Sequence, residues 1–316
     1  MQLQLNNLVL FGVPTTWLKP LWLVGIGVII AIFFLILIVS ALRWAFPKVS
    51  AIAGTTAKES MSQPLFYVIL VIGIAGLIMF PFIPYNTFGE DVKIVKDTGL
   101  TLIMILGAIL ALWTASVSIA DEIEGRTALT VLSKPINRRS FILGKFLGIL
   151  WPVAILFIVF GAIFLASVSF KVVYDARESS RLEPTWQDCK TEMLQVVPGL
   201  ALAFMETTVL ASISVAISTR LPMMANLIIC MAVYVLGHLV PLLANSALEQ
   251  IEQVGFVAGL LSAILPVLDH FNIYAAIATG NEVPISYLGW AALYCLLYSG
   301  LAMLVALLLF EDRDLA

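Results

Sequence analysis

Charge is scarce in this chain. Of its 316 residues, 12% are Asp, Glu, Lys or Arg, about half the share of an average soluble domain. The hydrophobic share is 61%. So little polar surface cannot coat a water-soluble globule, which excludes a soluble enzyme and a disordered chain. Basic excess is also missing. A net charge of -3 supplies no field for phosphate backbones, so nucleic acid is not a partner. Cysteine is nearly absent: Cys189, Cys230 and Cys295 are odd in number and widely spaced, which fits neither a disulfide framework nor a zinc site. Cys230 and Cys295 fall inside apolar runs and Cys189 in a polar stretch read as a loop, where it is a free thiol.

Chemical motifs are lacking too. No Gly-x-x-x-x-Gly-Lys-(Ser/Thr) occurs, so no P-loop cradles ATP phosphates; Gly144-Lys145 lacks the earlier glycine. Two histidines, His238 and His270, are too few for a His-Glu-x-x-His site, and no Gly-x-Ser-x-Gly elbow offers a nucleophile. Asp269 and His270 are adjacent and do not face each other on a helix. The chain is therefore read without catalytic residues, metal or cofactor of its own.

Long apolar runs are what the chain has. A spanning helix needs about 20 mostly apolar residues. Seven runs qualify: Leu21 to Leu42, Leu65 to Pro84, Gly99 to Ala120, Phe141 to Val168, Val196 to Ser218, Pro222 to Leu243 and Tyr287 to Phe310. All are too long for barrel strands and show no alternation. The expected fold is an all-α integral membrane protein, a polytopic bundle of about seven transmembrane helices. The first run has only Lys19 before it and is too long for a signal peptide, so it is read as an uncleaved span. Trp17, Trp22, Trp44, Tyr287 and Trp290 fall near span ends, as interface anchors do.

Seven spans put the chain ends on opposite sides. One side collects Arg43, Lys48, Lys58, Arg126, Lys134, Arg138, Arg139, Lys145, Arg220 and Arg313; the other has Lys19, Lys93, Lys96, Lys171, Arg177, Arg181 and Lys190. The richer side is cytoplasmic, which places the C-terminus inside and the N-terminus outside. Lys171 to Gln195 reads as a solvated outer loop. The outer connection Asn245 to Val283 contains a shorter apolar stretch, 254–268, expected as a re-entrant or interfacial helix broken at Pro266. A full eighth span is the alternative, and it would reverse the C-terminus.

The densest charge cluster lies between the third and fourth runs. Asp121, Glu122 and Glu124 lead; Arg126, Lys134, Arg138 and Arg139 follow. Acids in the first turn and a Lys in the last suit a helix dipole, Pro135 ends the helix, and Ile123, Ala128, Val131 and Leu132 give it an apolar stripe. This predicts a short amphipathic helix over 121–135. It is gripped by a cytoplasmic partner or lies on the bilayer as a basic anchor. Three carboxylates beside anionic lipid argue for the partner.

Within the membrane, Glu206 lies midway along the fifth run, followed by Thr207, Thr208, Ser212, Ser214 and Ser218. A carboxylate at that depth costs a few kcal/mol or more, so it faces the bundle interior or a wet pathway. Glu206, Thr207, Ser214 and His238 are the candidates for a translocation pathway, or else for polar glue between helices. Gly144 and Gly148 form a Gly-x-x-x-Gly pair that permits close helix approach.

The run Ile119-Ala-Asp-Glu-Ile-Glu-Gly-Arg-Thr-Ala-Leu-Thr-Val-Leu-Ser-Lys-Pro-Ile-Asn-Arg-Arg-Ser-Phe-Ile-Leu-Gly-Lys-Phe-Leu-Gly148 resembles the permease subunits of ABC-2-type transporters. In that family an acidic Glu-x-Gly turn follows the second core span, and then come Leu-x-x-(Lys/Arg)-Pro and a basic entry into the next span. Ala57-Lys-Glu-Ser-Met-Ser-Gln-Pro-Leu-Phe-Tyr-Val68 is similar to the interfacial elbow before the first core span. Ile264 to Ile273 and the ending Leu309-Phe-Glu-Asp-Arg-Asp-Leu315 look like the end of the bacterial members. The resemblance covers residues 57–316, a six-helix core, and leaves 1–56 as a tail, an extra span and a linker.

The resemblance implies a coupling helix docked on a separate ATPase through Asp121, Glu122, Glu124, Gly125, Arg126, Thr127, Leu132, Lys134, Pro135, Arg138 and Arg139. It implies two ATPase copies carrying ATP and Mg, a second permease, identical or related, and an exporter in a bacterial inner membrane. Readings of another class are an intramembrane hydrolase or transferase using Asp269, His270 or Glu206, and a membrane anchor or assembly factor that transports nothing.

Overall fold

The computed structural model describes residues 9–10, 13–85, 90–124, 137–180, 182–247, 259–261 and 264–311; of these, 9–10, 13–14, 120–124, 240–247 and 311 are described by backbone alone. It is a helical bundle. The helices are α1 (Leu21–Ala45), α2 (Pro47–Ser62), α3 (Pro64–Met79), α4 (Asp91–Glu124), α5 (Arg138–Glu178), α6 (Trp186–Ser218), α7 (Met223–Ala247), the short α8 (Tyr274–Ala278) and α9 (Ile285–Glu311). A two-residue ladder, Val9–Leu10 against Val13–Pro14, precedes them.

Six helices among the described residues are long and apolar enough to cross a membrane, and the shorter apolar stretch Met223–Leu239 of α7 stands where the sequence gives a seventh. The chain runs back and forth between two ends. One, the loop end, carries α2, the start of α5 and the last turn of α9. The other, the far end, carries the start of α4, the join of α5 to α6, and α8. Because α7 ends and α9 begins at the far end, the connection between them makes no net crossing. Its described part tucks inward: Leu268, Phe271, Tyr274 and Ile277 are fully or almost fully buried, and Leu268 packs on Gly237 of α7. The stretch 248–258 and residues 262–263, which include nearly half of the expected re-entrant segment, lie outside the described residues.

α5 is the central post. At 41 residues it is about 60 Å long, roughly twice the hydrocarbon thickness. Phe157, Phe160 and Phe164 project from it at helical spacing into notches left by Gly107 and Gly99 of α4 and Gly73 of α3. A Cβ at any of these glycines would collide with a phenyl ring, so the close approach of α3 and α4 to α5 depends on its absence. Gly144 and Gly148 serve α2 in the same way. Ile52, Ala53 and Thr56 lie in that groove, with a Cβ at Gly148 falling 2.6 Å from Thr56 Cβ. The Gly-x-x-x-Gly pair thus holds a neighbouring helix of the same chain.

The expected outer loop from Lys171 to Gln195 is largely helical. α5 continues to Glu178 and α6 starts at Trp186, under a capping box in which Thr185 and Asp188 satisfy each other's backbone N–H groups. Its charges are not all solvated. Lys171 is fully buried, 3.1 Å from Asp91 and 3.8 Å from Glu178. Lys96, also buried, pairs with Glu192 and donates to Gln195 Oε1 at 2.9 Å. Cys189 is likewise not in a loop; it is buried in α6 against Phe170 and Val173. The sequence shows runs of mixed charge but not that partners about 80–100 positions apart neutralise them. A cleft of about 460 Å³ opens at this end, lined by Glu90, Lys93, Asp175, Glu183, Asp188 and Glu192 among others.

α1 stands apart. Its apolar window has no buried residue, and Ile29, Phe33, Phe34 and Ile36 are exposed. It is fastened at its two ends. Ser169 of α5 donates to the Trp17 carbonyl at 2.9 Å, the Trp17 ring meets Phe170 edge-on at 5.4 Å, and its last turn leads directly into α2. Between the fastenings, an apolar groove of about 450 Å³ separates it from α5 and α6.

Candidate functional site

Two parts of the molecule answer to the residues singled out in the sequence. One is the loop end around the charged segment. The other is a polar seam inside the bundle between α4, α6 and α7.

At the loop end, the backbone of Asp121, Glu122 and Glu124 is helical and continuous with α4, whereas the sequence places them in the first turn of a separate short helix. Gly125, Arg126, Thr127, Leu132, Lys134 and Pro135 lie outside the described residues. Asn137 is the N-cap of α5. Arg138 donates to the Phe310 carbonyl of α9 at 3.5 Å, and its guanidinium lies 5.9 Å from the centre of the Phe310 ring, which stacks on Phe141. Arg139 is exposed.

About two turns on, Lys145 is buried; it donates to Ser118 Oγ of α4 at 3.0 Å and lies 3.9 Å from Glu59 of α2. Trp113 of α4 donates to Gln63, between α2 and α3, at 3.2 Å. The two flanks of the charged segment are thus tied to α2, α4, α5 and α9. Sequence reasoning counted Lys145 only as a loop cation. Glu59 and Ser118 gave no signal, because each is one polar residue in a helix with no visible partner.

The seam is built by two antiparallel helices. α6 presents Ser218, Ser214 and Glu206, and α7 presents Asn226, Cys230, Tyr234 and His238 at four-residue spacing along one face. At its lower end, Asn226 is fully buried and its amide nitrogen lies 2.7 Å from Ser218 Oγ, 2.7 Å from Ser116 Oγ of α4 and 2.9 Å from Ser214 Oγ, its two hydrogens shared among the three. Cys230 donates to Asn226 Oδ1 at 3.2 Å. This knot joins three helices with neutral groups whose hydrogen bonds are made. Asn226 and Tyr234 were missed in the sequence because neither is charged. The i, i+4 stripe of Asn226, Cys230, Tyr234 and His238 is the signal that could have found them.

Three turns further along α7, His238 Nε2 lies 3.3 Å from Glu206 Oε1. Glu206 is fully buried, and the His238 side chain is 21% exposed. The other ring nitrogen, Nδ1, is 3.0 Å from the Tyr234 carbonyl. Tyr274 of α8, almost fully buried, stands near Glu206, yet neither its hydroxyl nor either carboxylate oxygen completes a hydrogen bond of good geometry.

The four sequence candidates thus separate. Glu206 and His238 meet. Ser214 belongs to the Asn226 knot. Thr207 turns back to donate to the Ala203 carbonyl of its own helix at 2.9 Å. Asp269 and His270 are exposed in a short turn, where the His270 carbonyl accepts from Tyr287.

The sequence over residues 15–315 matches the family described as ABC-2 family transporter protein. The chain belongs to the ABC-2 transporter family. The match takes in α1 as well as the helices after it. No curated protein matches the chain. As an ABC-2 family member with several apolar helices, it is a multi-pass membrane protein and a permease subunit of an ABC transporter. The work of such a subunit is transport, not catalysis, and ABC-2 permeases generally work with an ATPase subunit.

Proposed function

We propose that this ABC-2 permease couples ATP hydrolysis by a separate ATPase chain to export of a substrate across a bacterial cytoplasmic membrane. The segment 121–135 with Arg138 and Arg139 is the contact for the ATPase. The loop end faces the cytoplasm with the C-terminus, and the N-terminus lies outside. Two permeases, identical or related, pair and recruit two ATPase copies, which hold ATP and Mg.

The observation that carries this reading is the bracing around the charged segment. Lys145 links α5 to α4 and α2, and Arg138 links α5 to α9. Force applied to a segment held at both flanks is not dissipated in a slack loop. It is delivered to helices that cross the membrane, which move as packed bodies between discrete arrangements. Inside the bundle, Glu206, Ser214 and His238 lie on the helices that this movement would rearrange, and Thr207 is on the same helix as Glu206.

The test is charge reversal. The double variant Glu122→Lys, Glu124→Lys, made in the chain co-expressed with its ATPase, is expected to insert normally and to lose co-purification of the ATPase by at least about tenfold. Unchanged co-purification overturns the coupling assignment.

A further inference from the structure

The corner between α1 and α2 carries charge that the protein leaves unanswered. Residues 1–62 contain four cations, Lys19, Arg43, Lys48 and Lys58, and one acid, Glu59. That acid faces Lys145 of α5, 3.9 Å away. Arg43 in the last turn of α1 and Lys58 near the end of α2 are both exposed, and neither has an ion-pair partner among the described residues.

The two are not scattered. Both line one concavity of about 410 Å³ at the loop end, whose floor is a single face of α2, with Ser50, Ala51, Gly54 and Thr55 recurring at helical spacing. The side chains of that face are small, and a Cβ placed on Gly54 would meet nothing within 4 Å. Thr55 commits its hydroxyl to the Ile52 carbonyl at 2.8 Å, so the donors on offer are the guanidinium, the ammonium and the Ser50 hydroxyl. All three suit an anion, and a planar guanidinium beside an ammonium suits the oxygens of a phosphate.

The depth of the site says which phosphate. α1 has 25 residues, about 37 Å of helix. That crosses a hydrocarbon core of about 30 Å and brings the last turn out at the headgroup level. Trp44 and Phe46, 90% and 60% exposed, stand at that level as interfacial aromatics do. Ile36, Ile32 and Ile29 precede Arg43 by seven, eleven and fourteen residues, so they share its side of α1, and all three are exposed. A column of apolar side chains open to lipid thus ends in a cation. A soluble anion would leave that column uncovered; a phospholipid covers both.

We propose that this corner binds one anionic phospholipid of the leaflet at the loop end. Its phosphate sits between Arg43 and Lys58 over the Gly54 face, and an acyl chain runs along Ile36, Ile32 and Ile29. The lipid bridges the last turn of α1 to the open face of α2. It thereby fastens α1, whose apolar window has no buried residue, at the end away from Trp17. The inference needs α1 in a bilayer. It needs no ATPase and holds whichever side the loop end faces, so its failure leaves the permease reading standing, and the reverse holds too.

Native mass spectrometry of the full-length protein tests it, in mixed micelles holding dioleoyl phosphatidylglycerol and dioleoyl phosphatidylcholine at equal mole fraction. A cation close to an anionic headgroup favours it about fivefold, so two are expected to favour retention of one phosphatidylglycerol by at least about tenfold. Combining Arg43→Gln with Lys58→Gln is expected to reduce that preference to about twofold or less. Arg220→Gln, which removes an exposed cation elsewhere, leaves it in place. Gly54→Leu keeps both charges and fills open space, so the chain folds while retention of phosphatidylglycerol drops at least about fivefold. Inorganic phosphate at about 10 mM, against chloride of equal ionic strength, is expected to displace none of the lipid. Dihexanoyl phosphatidylglycerol, which has the headgroup without the chain length, competes at least about tenfold more weakly. The proposal is overturned if the wild type retains the two lipids equally, or if the double variant or Gly54→Leu retains phosphatidylglycerol as the wild type does. It is overturned too if Arg220→Gln loses the preference, or if inorganic phosphate or the short-chain lipid displaces the long-chain one as well as its own kind does.

Discussion

Two polar clusters lie on the same pair of helices, three turns apart. The Asn226 knot and the Glu206–His238 pair are both buried, and both join α6 to α7. They differ in accounting. Asn226, Ser116, Ser214 and Ser218 are neutral and bonded to one another, whereas Glu206 and His238 are ionisable and leave three polar atoms without a completed hydrogen bond. A satisfied neutral knot stabilises one arrangement at every pH. An unsatisfied ionisable pair at bilayer depth carries a desolvation cost that the neutral knot does not.

Substitutions can break this comparison or sharpen it. The largest effect is expected from His238→Leu, which orphans a buried carboxylate. It should lower stability by about 3 kcal/mol. Denaturation in detergent measures it. Asn226→Leu comes next. Removing the hub of three interhelical bonds is expected to cost about 1–2 kcal/mol, by the same amount at pH 6 and pH 8. A pH-dependent loss at Asn226 would erase the distinction between the clusters. The smallest change is expected from Thr207→Val. Its hydroxyl bonds only the turn below in its own helix, so stability should move by less than about 0.5 kcal/mol. A loss as large as that at Asn226 would mean that the seam extends along more of α6 than its contacts show.

Much of the architecture was legible in the sequence, and the reasons can be named. A hydrocarbon core admits only long helices or closed barrels, so apolar runs of about 20 residues without alternation leave one choice. Family membership, too, was visible in the charged segment and its flanks. Glu206 and His238 each stood out alone, because an ionisable residue inside an apolar run is costly wherever it lies.

Their pairing was not legible. It depends on how far α6 and α7 slide past one another, and a shift of one turn would set His238 opposite Leu210 instead. The polar stretch around Lys171 misled for a related reason. Local charge density reads as solvation, but Asp91 lies 80 positions from Lys171 and Glu192 lies 96 from Lys96, separations that no window along the chain reports. The charged segment between α4 and α5 was read as a separate amphipathic helix. Its acidic residues instead continue α4, because a helix already buried to Ile119 extends by one more turn at little cost.

By itself, then, the sequence determined the solvent this protein lives in, the kind of secondary structure it can use there and the number of its long helices. Each follows from the transfer free energy of short stretches, and that energy is additive along the chain. Only the tertiary structure decided which glycines receive which phenylalanines, which buried lysines are neutralised, and that one carboxylate and one imidazole share a site. Those outcomes depend on the rotation and register of rigid helices against each other, a property that no single stretch of residues possesses.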